Sequence, residues 1–417
     1  MIALPHDSGL APAREATQAL AAAPPGRTPV VLATINRPKG TTGVHTHTRA
    51  LSEGLSAAGV PCEVVSTFSG GRRWTPVFAI RPLLLSRIDR TLATLWHRRW
   101  HGTALAQALG RRLSGQAGPL HIVAQCPVSA RAALDVRDRM GRADDVSVTM
   151  VCHFNHSEAI EYRDQGLLRQ DRAFRAVLDF EADVLQAVDR VVYVSGWARE
   201  QVEEVRGIRP KSSAVVWNGI ASRPTHAAPA TRASLGLSAA DLVLINVGTL
   251  EPRKNQLALI DVFARVVGKH RHAKLVLAGD GPHRSAVERR AAELNVLPNV
   301  RLLGHRSDVP ALLAAADVYV HFATAENCPM VLLEAARAAL PIAAVPAGGV
   351  RELQAQLGGC IALDASDPDA SAAALEPVLQ AAGLRREMGR MNRERFNDRF
   401  TQDAMVQAYL DVLGVMP

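Results

Sequence analysis

Short apolar runs recur along the chain, each ending in a polar or glycine-bearing loop and followed by a stretch of helical spacing. The runs at 29–35, 62–66, 120–125, 146–154, 190–195 and 214–220 read as strands of the buried type. Between them, Ala50, Leu51, Leu55 and Ala58 mark a helix that ends at Gly59, and another helix runs through 178–188. Residues 83–113 read as one helix, with Leu85, Ile88, Leu92, Leu95 and Trp96 on a common stripe. A segment rich in Pro, Ala, Ser and Thr at 221–240 then interrupts the rhythm, as a linker would. The alternation starts afresh with strands at 241–248, 274–281, 299–304, 318–323 and 342–345, and helices through 257–267 and 283–294. Phe396, Phe400, Met405, Tyr409 and Leu413 give the final stretch, 393–415, an amphipathic helical pattern.

This rhythm predicts an α/β protein of two facing, Rossmann-like, doubly wound domains with a cleft between them. The expected division is a loose tail at 1–27, a first domain at 28–222, a linker at 223–240 and a second domain at 241–395. Composition agrees: 417 residues, 48% hydrophobic and 21% charged, suit two globular cores of ordinary size.

Charge changes the picture at one place. Nine arginines between Arg72 and Arg112 face a single acid, Asp89, and that excess equals the net charge of +8 carried by the whole chain. With Trp96 and Trp100 flanking Arg98 and Arg99, residues 83–112 could lie on an anionic membrane surface. They read equally as a connecting helix with a solvated basic side. Nucleic acid is not expected as a partner, because neither stacking aromatics on a sheet nor a recognition-helix pattern accompanies the charge.

Five scattered cysteines without a CxxC pair suggest a reduced setting and no zinc site. The N-terminus lacks a basic leader and a sustained apolar run, and no stretch has the length of a membrane span. The expected location is the cytoplasm, with access to the inner face of the cell membrane.

Candidate chemistry gathers at strand ends. The 146–154 strand runs into His153, Asn155, His156 and Glu158, where open α/β sheets hold ligands. Ser195 reads as a helix N-cap. Arg253 and Lys254 follow the 241–248 strand, where two cations would meet a diphosphate. The first loop, with Gly40 and Gly43, is not a GxGxxG fingerprint and serves either as a tight turn or as a phosphate loop. The densest stretch is 325–353, AENCPMVLLEAARAALPIAAVPAGGVREL. Pro329 suits a helix start, Glu326 and Glu334 flank an apolar segment, and Pro341 ends the helix before a Gly348-Gly349 turn. Taken alone, it is as readily an ordinary loop, helix and strand as an anion-binding cradle.

With those residues in view, the chain resembles the retaining glycosyltransferases of the GT-B fold, family 4 (glycosyl transferases group 1). The resemblance runs from about residue 29 to the last helix and is strongest over 243–353. VGTLEPRKN resembles the family's diphosphate loop, and LVLAGDGP and NVRLLG its next strands. ENCPMVLLE matches the E-x7-E motif, and PAGGVREL the turn beyond it.

The resemblance implies that Glu334 binds the nucleotide ribose and Glu326 the donor sugar. Arg253 and Lys254 would neutralise the diphosphate, aided by amides around Cys328, Pro329, Met330 and Val331. Gly248, Thr249 and Gly304 would border the nucleotide; many relatives carry an arginine where Thr249 stands. Gly43 would lie by the donor phosphate, where many relatives have two glycines in a row. His153 would touch the donor sugar, Asn218 and Gly219 match a pair before the linker, and 396–417 would cross back to the first domain. The implied catalytic set is Glu326, His153, Lys254 and Arg253.

The implied reaction moves a hexose, mannose by mild preference, from a GDP- or UDP-sugar to a growing glycan in bacterial surface polysaccharide synthesis. Configuration at the anomeric carbon would be retained, with neither metal nor cofactor, and the acceptor would be lipid-linked. A nucleotide-sugar 2-epimerase or a non-catalytic scaffold of the same fold are the alternatives.

Overall fold

The computed structural model describes residues 28–37, 40, 42–71, 74–223 and 232–415; the 1–27 tail and much of the 223–240 linker lie outside the described residues. The first sheet contains β1 (Val30–Thr34), β2 (Cys62–Ser66), β3 (Leu120–Ala124), β4 (Val146–Cys152), β5 (Arg190–Tyr193) and β6 (Ser213–Val215), in the order β2-β1-β3-β4-β5-β6. The second contains β7 (Leu242–Val247), β8 (Ala273–Ala278), β9 (Val300–Gly304), β10 (Val318–His321), β11 (Ile342–Ala344) and β12 (Cys360–Ala362), in the order β12-β11-β10-β7-β8-β9. Neighbouring strands run parallel throughout.

A parallel sheet is covered on both faces, which is why the strands read as unbroken apolar runs. In β1, Val31 and Ala33 point into one core, while Val30 and Leu32 point into the other. Strand order reverses between β1 and β3, and again between β7 and β10. Loops leaving the carboxyl ends there diverge and open a crevice in each sheet.

Three expected elements differ. The helix expected over 83–113 is broken. A short helix (Thr75–Ile80), a π turn (Arg81–Leu85) and a three-residue helical piece (Ser86–Ile88) precede the main helix, Arg90–Leu113. Asp89 takes an extended backbone, and its carboxylate accepts from the amides of Thr91 (2.6 Å) and Leu92 (3.2 Å). The apolar spacing continues through this N-cap, so periodicity alone hides the break.

The terminal helix is likewise two: Ala382–Arg399 and Gln402–Leu413. Phe396 and Phe400 pack under the second sheet, whereas Met405, Tyr409 and Leu413 pack beside Leu51 and Leu55 on the first. The bend at Phe400 and Thr401 lets one amphipathic pattern serve two cores.

The strand expected at 214–220 stops at Val215. Beyond it the chain meets that bend: the Ile220 amide donates to the Phe400 carbonyl at 3.1 Å, and Gln402 donates back to Ile220 at 2.8 Å. The two crossings between the sheets therefore run side by side.

Candidate functional site

β7 and β10 are neighbours. Adjacency at the reversal point brings the loops that follow them together, although 72 residues separate Lys254 from Glu326. After β7, residues Pro252–Lys254 form a single 3₁₀ turn, and Asn255 adopts a left-handed conformation that starts the next helix. The Lys254 ammonium donates to Glu326 Oε1, and Arg253 Nη1 lies 3.2 Å from the same oxygen. Arg253 also donates to the Ala325 carbonyl (2.9 Å) and to Glu251 (3.1 Å). The loop that carries Glu326 is thus fixed from below by the loop that carries the cations.

Burial raises the Glu326 carboxyl, but Lys254, His321 and Arg253 outweigh it and hold the group below the usual carboxylate range. Glu326 is an anion there, surrounded by cations. His321, at the end of β10, lies in the same pocket. Burial lowers it to about 4 against the opposing pull of Glu326, so it is neutral at pH 7.

The helix Met330–Arg337 begins just beyond, with Pro329 at its N-cap position. Its opening amides, Met330 and Val331, have no intrahelical acceptor and carry the positive end of the helix dipole. Opposite, the helix Gly43–Ala57 begins at Gly43, and a Cβ built on Gly43 would come to 3.7 Å of Met330 Cγ. Two helix N-termini, one from each sheet, therefore meet at Gly43 and Met330, four residues on from Glu326.

Glu334 is half-buried on the Met330–Arg337 helix and has neither hydrogen bond nor ion pair among the described residues. Burial raises its carboxyl above the usual range, opposed by Arg337. A half-buried carboxylate with idle lone pairs is suited to accept from paired hydroxyls.

Not every candidate joins this centre. His153 donates from Nε2 to Gln125 (3.0 Å) and lies edge-on to His47, its ring centroid 4.8 Å away. Burial, then the His47 neighbour, keep it neutral. Gly248 flanks the aliphatic stem of Lys254, and the Thr249 carbonyl accepts from Gln256. Gly304, in a left-handed conformation, ends the edge strand β9. Glu158 is taken up elsewhere, paired with buried Arg98. Asn155 donates to Glu161, whose carboxylate in turn bears on Arg253 across the crevice.

Several site residues escaped the sequence reading. His47 is buried, hydrogen-bonded through Nδ1 to Asn218 Oδ1 (2.9 Å) and through Nε2 to the Tyr409 hydroxyl (3.3 Å). Asn218 passes the contact on to the Cys328 carbonyl at 3.1 Å. Asn327 donates to the Phe154 and Cys152 carbonyls and accepts from Ser195, which also caps its own helix. The available signal was a polar side chain inside an apolar run, as at His321 and Asn246, or at the start of a helix, as at His47.

The Gly348-Gly349 turn closes this loop from the other side. Gly349 donates to the Glu326 carbonyl (2.9 Å), and any Cβ on it would lie 1.8 Å from the Asn327 carbonyl oxygen. Only glycine permits that approach.

Two parallel sheets of this topology facing across a crevice are the architecture of the GT-B glycosyltransferases. The chain belongs to this class: residues 228–395 match the model for glycosyl transferases group 1, and residues 41–222 match glycosyltransferase family 4.

It is 28% identical over 186 residues to the lipopolysaccharide core biosynthesis glycosyltransferase LpsE of Rhizobium meliloti, covering 45% of this chain and 54% of that protein. It is 27% identical over 243 residues to a GDP-mannose-dependent monoacylated α-(1-6)-phosphatidylinositol monomannoside mannosyltransferase of Corynebacterium glutamicum, covering 55% and 63%. The matches span 54%, 29% and 56% of the length of the first three curated relatives. Among solved structures, Anabaena HepE in complex with UDP and glucose has the same fold, with TM-score 0.69, 17% identity, and 93% and 99% of the two chains covered.

Proposed function

We propose that this protein transfers a hexose from a nucleotide diphosphate sugar to a growing glycan of the bacterial surface, with retention at the anomeric carbon. The observation that carries the proposal is the Lys254, Arg253 and Glu326 cluster at the N-terminus of the Met330–Arg337 helix. Nucleotide diphosphate is the leaving group, and its developing charge needs fixed positive groups in a dry site. Arg253, Lys254 and the helix amides supply them, so the proposed chemistry runs without a metal.

When donor phosphate enters, Lys254 and Arg253 exchange part of their hold on Glu326 for the diphosphate. The Glu326 carboxylate then steadies the sugar hydroxyls and the positive charge that grows at the anomeric carbon. As the bond to the nucleotide breaks, the acceptor hydroxyl attacks from the same face and passes its proton to the departing phosphate. No separate base is required. Glu334 receives the ribose hydroxyls, and neutral His153 offers a hydrogen bond to the sugar. HepE, solved in complex with UDP and glucose, supports a nucleotide-sugar donor, and the mannosyltransferase relative supports the preference for mannose.

The proposed acceptor is lipid-linked and reached from the membrane surface. Among the described residues, no helix is long and apolar enough to cross a membrane. In the arginine-rich segment, Leu84 (54% exposed), Ile88 (69%), Leu92 and Leu95 turn apolar side chains to solvent. The two tryptophans turn inward instead, Trp96 donating to the Val77 carbonyl and Trp100 packing against Trp74. Exposed Arg87, Arg90 and Arg99 complete a surface suited to anionic lipid.

A thermal-shift panel of GDP- and UDP-sugars tests the donor, since a ligand of the native state raises the midpoint. Product analysis with the stabilising donor then tests the reaction. Transfer with retained configuration is expected; inversion at C2 of the sugar, or no turnover with any donor, overturns the proposal.

A further inference from the structure

A second concavity lies away from the crevice, on the outer face of the first sheet. The helices Arg90–Leu113, Pro127–Arg139 and Asp171–Ala187 border an open trough of about 970 Å³, at the upper end of the roughly 300–1,000 Å³ usual for ligand sites. Gly102, Ala106 and Ala132 line it where the first two helices pack closely, so that a Cβ on Gly102 would stand 3.2 Å from Val128 Cγ1. Val177 and Phe180 form the far wall. Leu95 lines the near end and is also the last member of the exposed stripe Leu84, Ile88, Leu92 and Leu95. The apolar path from the membrane-facing stripe into the trough is therefore continuous.

The trough is also cationic in a way that internal pairing does not explain. Arg98 lines it and is only 8% exposed; Nη1 is paired with Glu158, but Nη2 has no partner and is buried. A buried donor left idle is costly unless something accepts from it. The Trp74 indole N–H, also on the lining, is idle too. The acids on the rim are occupied, Asp135 by Arg131 and Asp138 by Arg137. Arg99 and Arg139 have no carboxylate partner among the described residues, and Arg172 and Arg175 stand just beyond. Apolar lining, idle buried donors and unpaired rim cations together select a ligand with an apolar chain and an anionic head.

We infer that this trough is a site for one anionic lipid, its acyl chain lying over Gly102 and Ala132 and its phosphate held among Arg98, Arg99 and Arg139. The inference rests on the membrane-facing reading of the first domain and gives it a specific ligand. A lipid drawn partly out of the bilayer would hold the protein at the surface and fix how the crevice faces it. Arg98, on the lining, is tied to Glu158, one turn from Glu161, which bears on Arg253, so a run of charged side chains links the trough to the crevice.

The test separates the trough from membrane docking in general. Lysophosphatidylglycerol below its micelle concentration is added to the full-length protein in solution, with a diazirine-bearing analogue for crosslinking. Saturable labelling of peptides from the three bordering helices is expected, competed by the unlabelled lipid. Labelling should fall at least about tenfold in Ala132→Leu and in the surface variant Arg99→Glu/Arg139→Glu, each checked for an unchanged melting midpoint. A midpoint drop in Ala132→Leu leaves the rim variant as the deciding one.

Labelling elsewhere, equal labelling competed by lysophosphatidylcholine, or labelling that survives the rim variant would each overturn the site. Flotation with anionic liposomes is read separately. Loss of flotation with labelling intact refutes docking and keeps the trough; flotation without trough labelling does the reverse.

Discussion

Asn327, which follows the acid of the candidate centre, donates its side-chain amide to the Phe154 carbonyl at the end of the opposite domain's β4, 2.9 Å away. The same amide reaches the Cys152 carbonyl at 3.5 Å, and its oxygen accepts from Ser195. The loop that positions Glu326 is thus held by the domain across the crevice, not only by its own sheet.

Asn327→Ala should therefore lower stability by roughly 1–3 kcal/mol, because buried carbonyls lose their donor. Urea unfolding measures that loss. Turnover should fall with little change in donor affinity, since the phosphate-binding cations stay in place. A variant as stable and as active as the parent would show that the clasp has no role.

Glu326→Ala and Lys254→Ala should each reduce transfer by on the order of a hundredfold or more, the scale of losing one preorganised charge partner. Initial rates at saturating donor are the measurement. Near-parental rates for either variant would remove the role assigned to that side chain.

Gly349→Ala should be far more harmful than an alanine usually is. The new Cβ would sit 1.8 Å from the Asn327 carbonyl oxygen, so the loop carrying Glu326 must shift; overpacking of this kind costs roughly 1–3 kcal/mol. Gly383→Ala is the control: it lies in a helix with open space where its Cβ would stand, and should be neutral or slightly stabilising. Comparing the two melting midpoints decides the matter.

Acid should destabilise the fold through His47 and His321. Burial lowers both from an ordinary value of 6.5 to about 4. Between those values the unfolded chain binds protons that the folded chain refuses, so stability present above pH 6.5 is lost as pH falls toward 4. Each fully buried ring contributes up to roughly 3 kcal/mol to that loss. His47→Gln should flatten the pH dependence of unfolding; an unchanged slope would contradict the assignment.

Ile88→Ser combined with Leu92→Ser should abolish flotation with anionic liposomes at low salt while leaving the melting midpoint unchanged, because both side chains already face solvent. Retained flotation would locate membrane contact elsewhere.

The chain itself determined the elements and their order. Apolar runs of strand length, separated by helical stretches, can only become covered parallel sheets, and the motif around Glu326 and Glu334 names its family within that frame. What periodicity could not carry is where an apolar stripe changes partner. The pattern runs unbroken through Asp89 and through Phe400, yet one residue caps a helix and the other turns the chain from one core to another.

Nor does local sequence state strand order. Lys254 and Glu326 meet because β7 and β10 are neighbours at the reversal of the second sheet. His47, Asn218 and Tyr409 meet because the last helix crosses onto the first domain. Arg98, one of nine arginines that looked alike in the sequence, is buried against Glu158 while Arg99 remains outside. Contacts between distant segments depend on which elements become neighbours, and packing of the whole chain decides that.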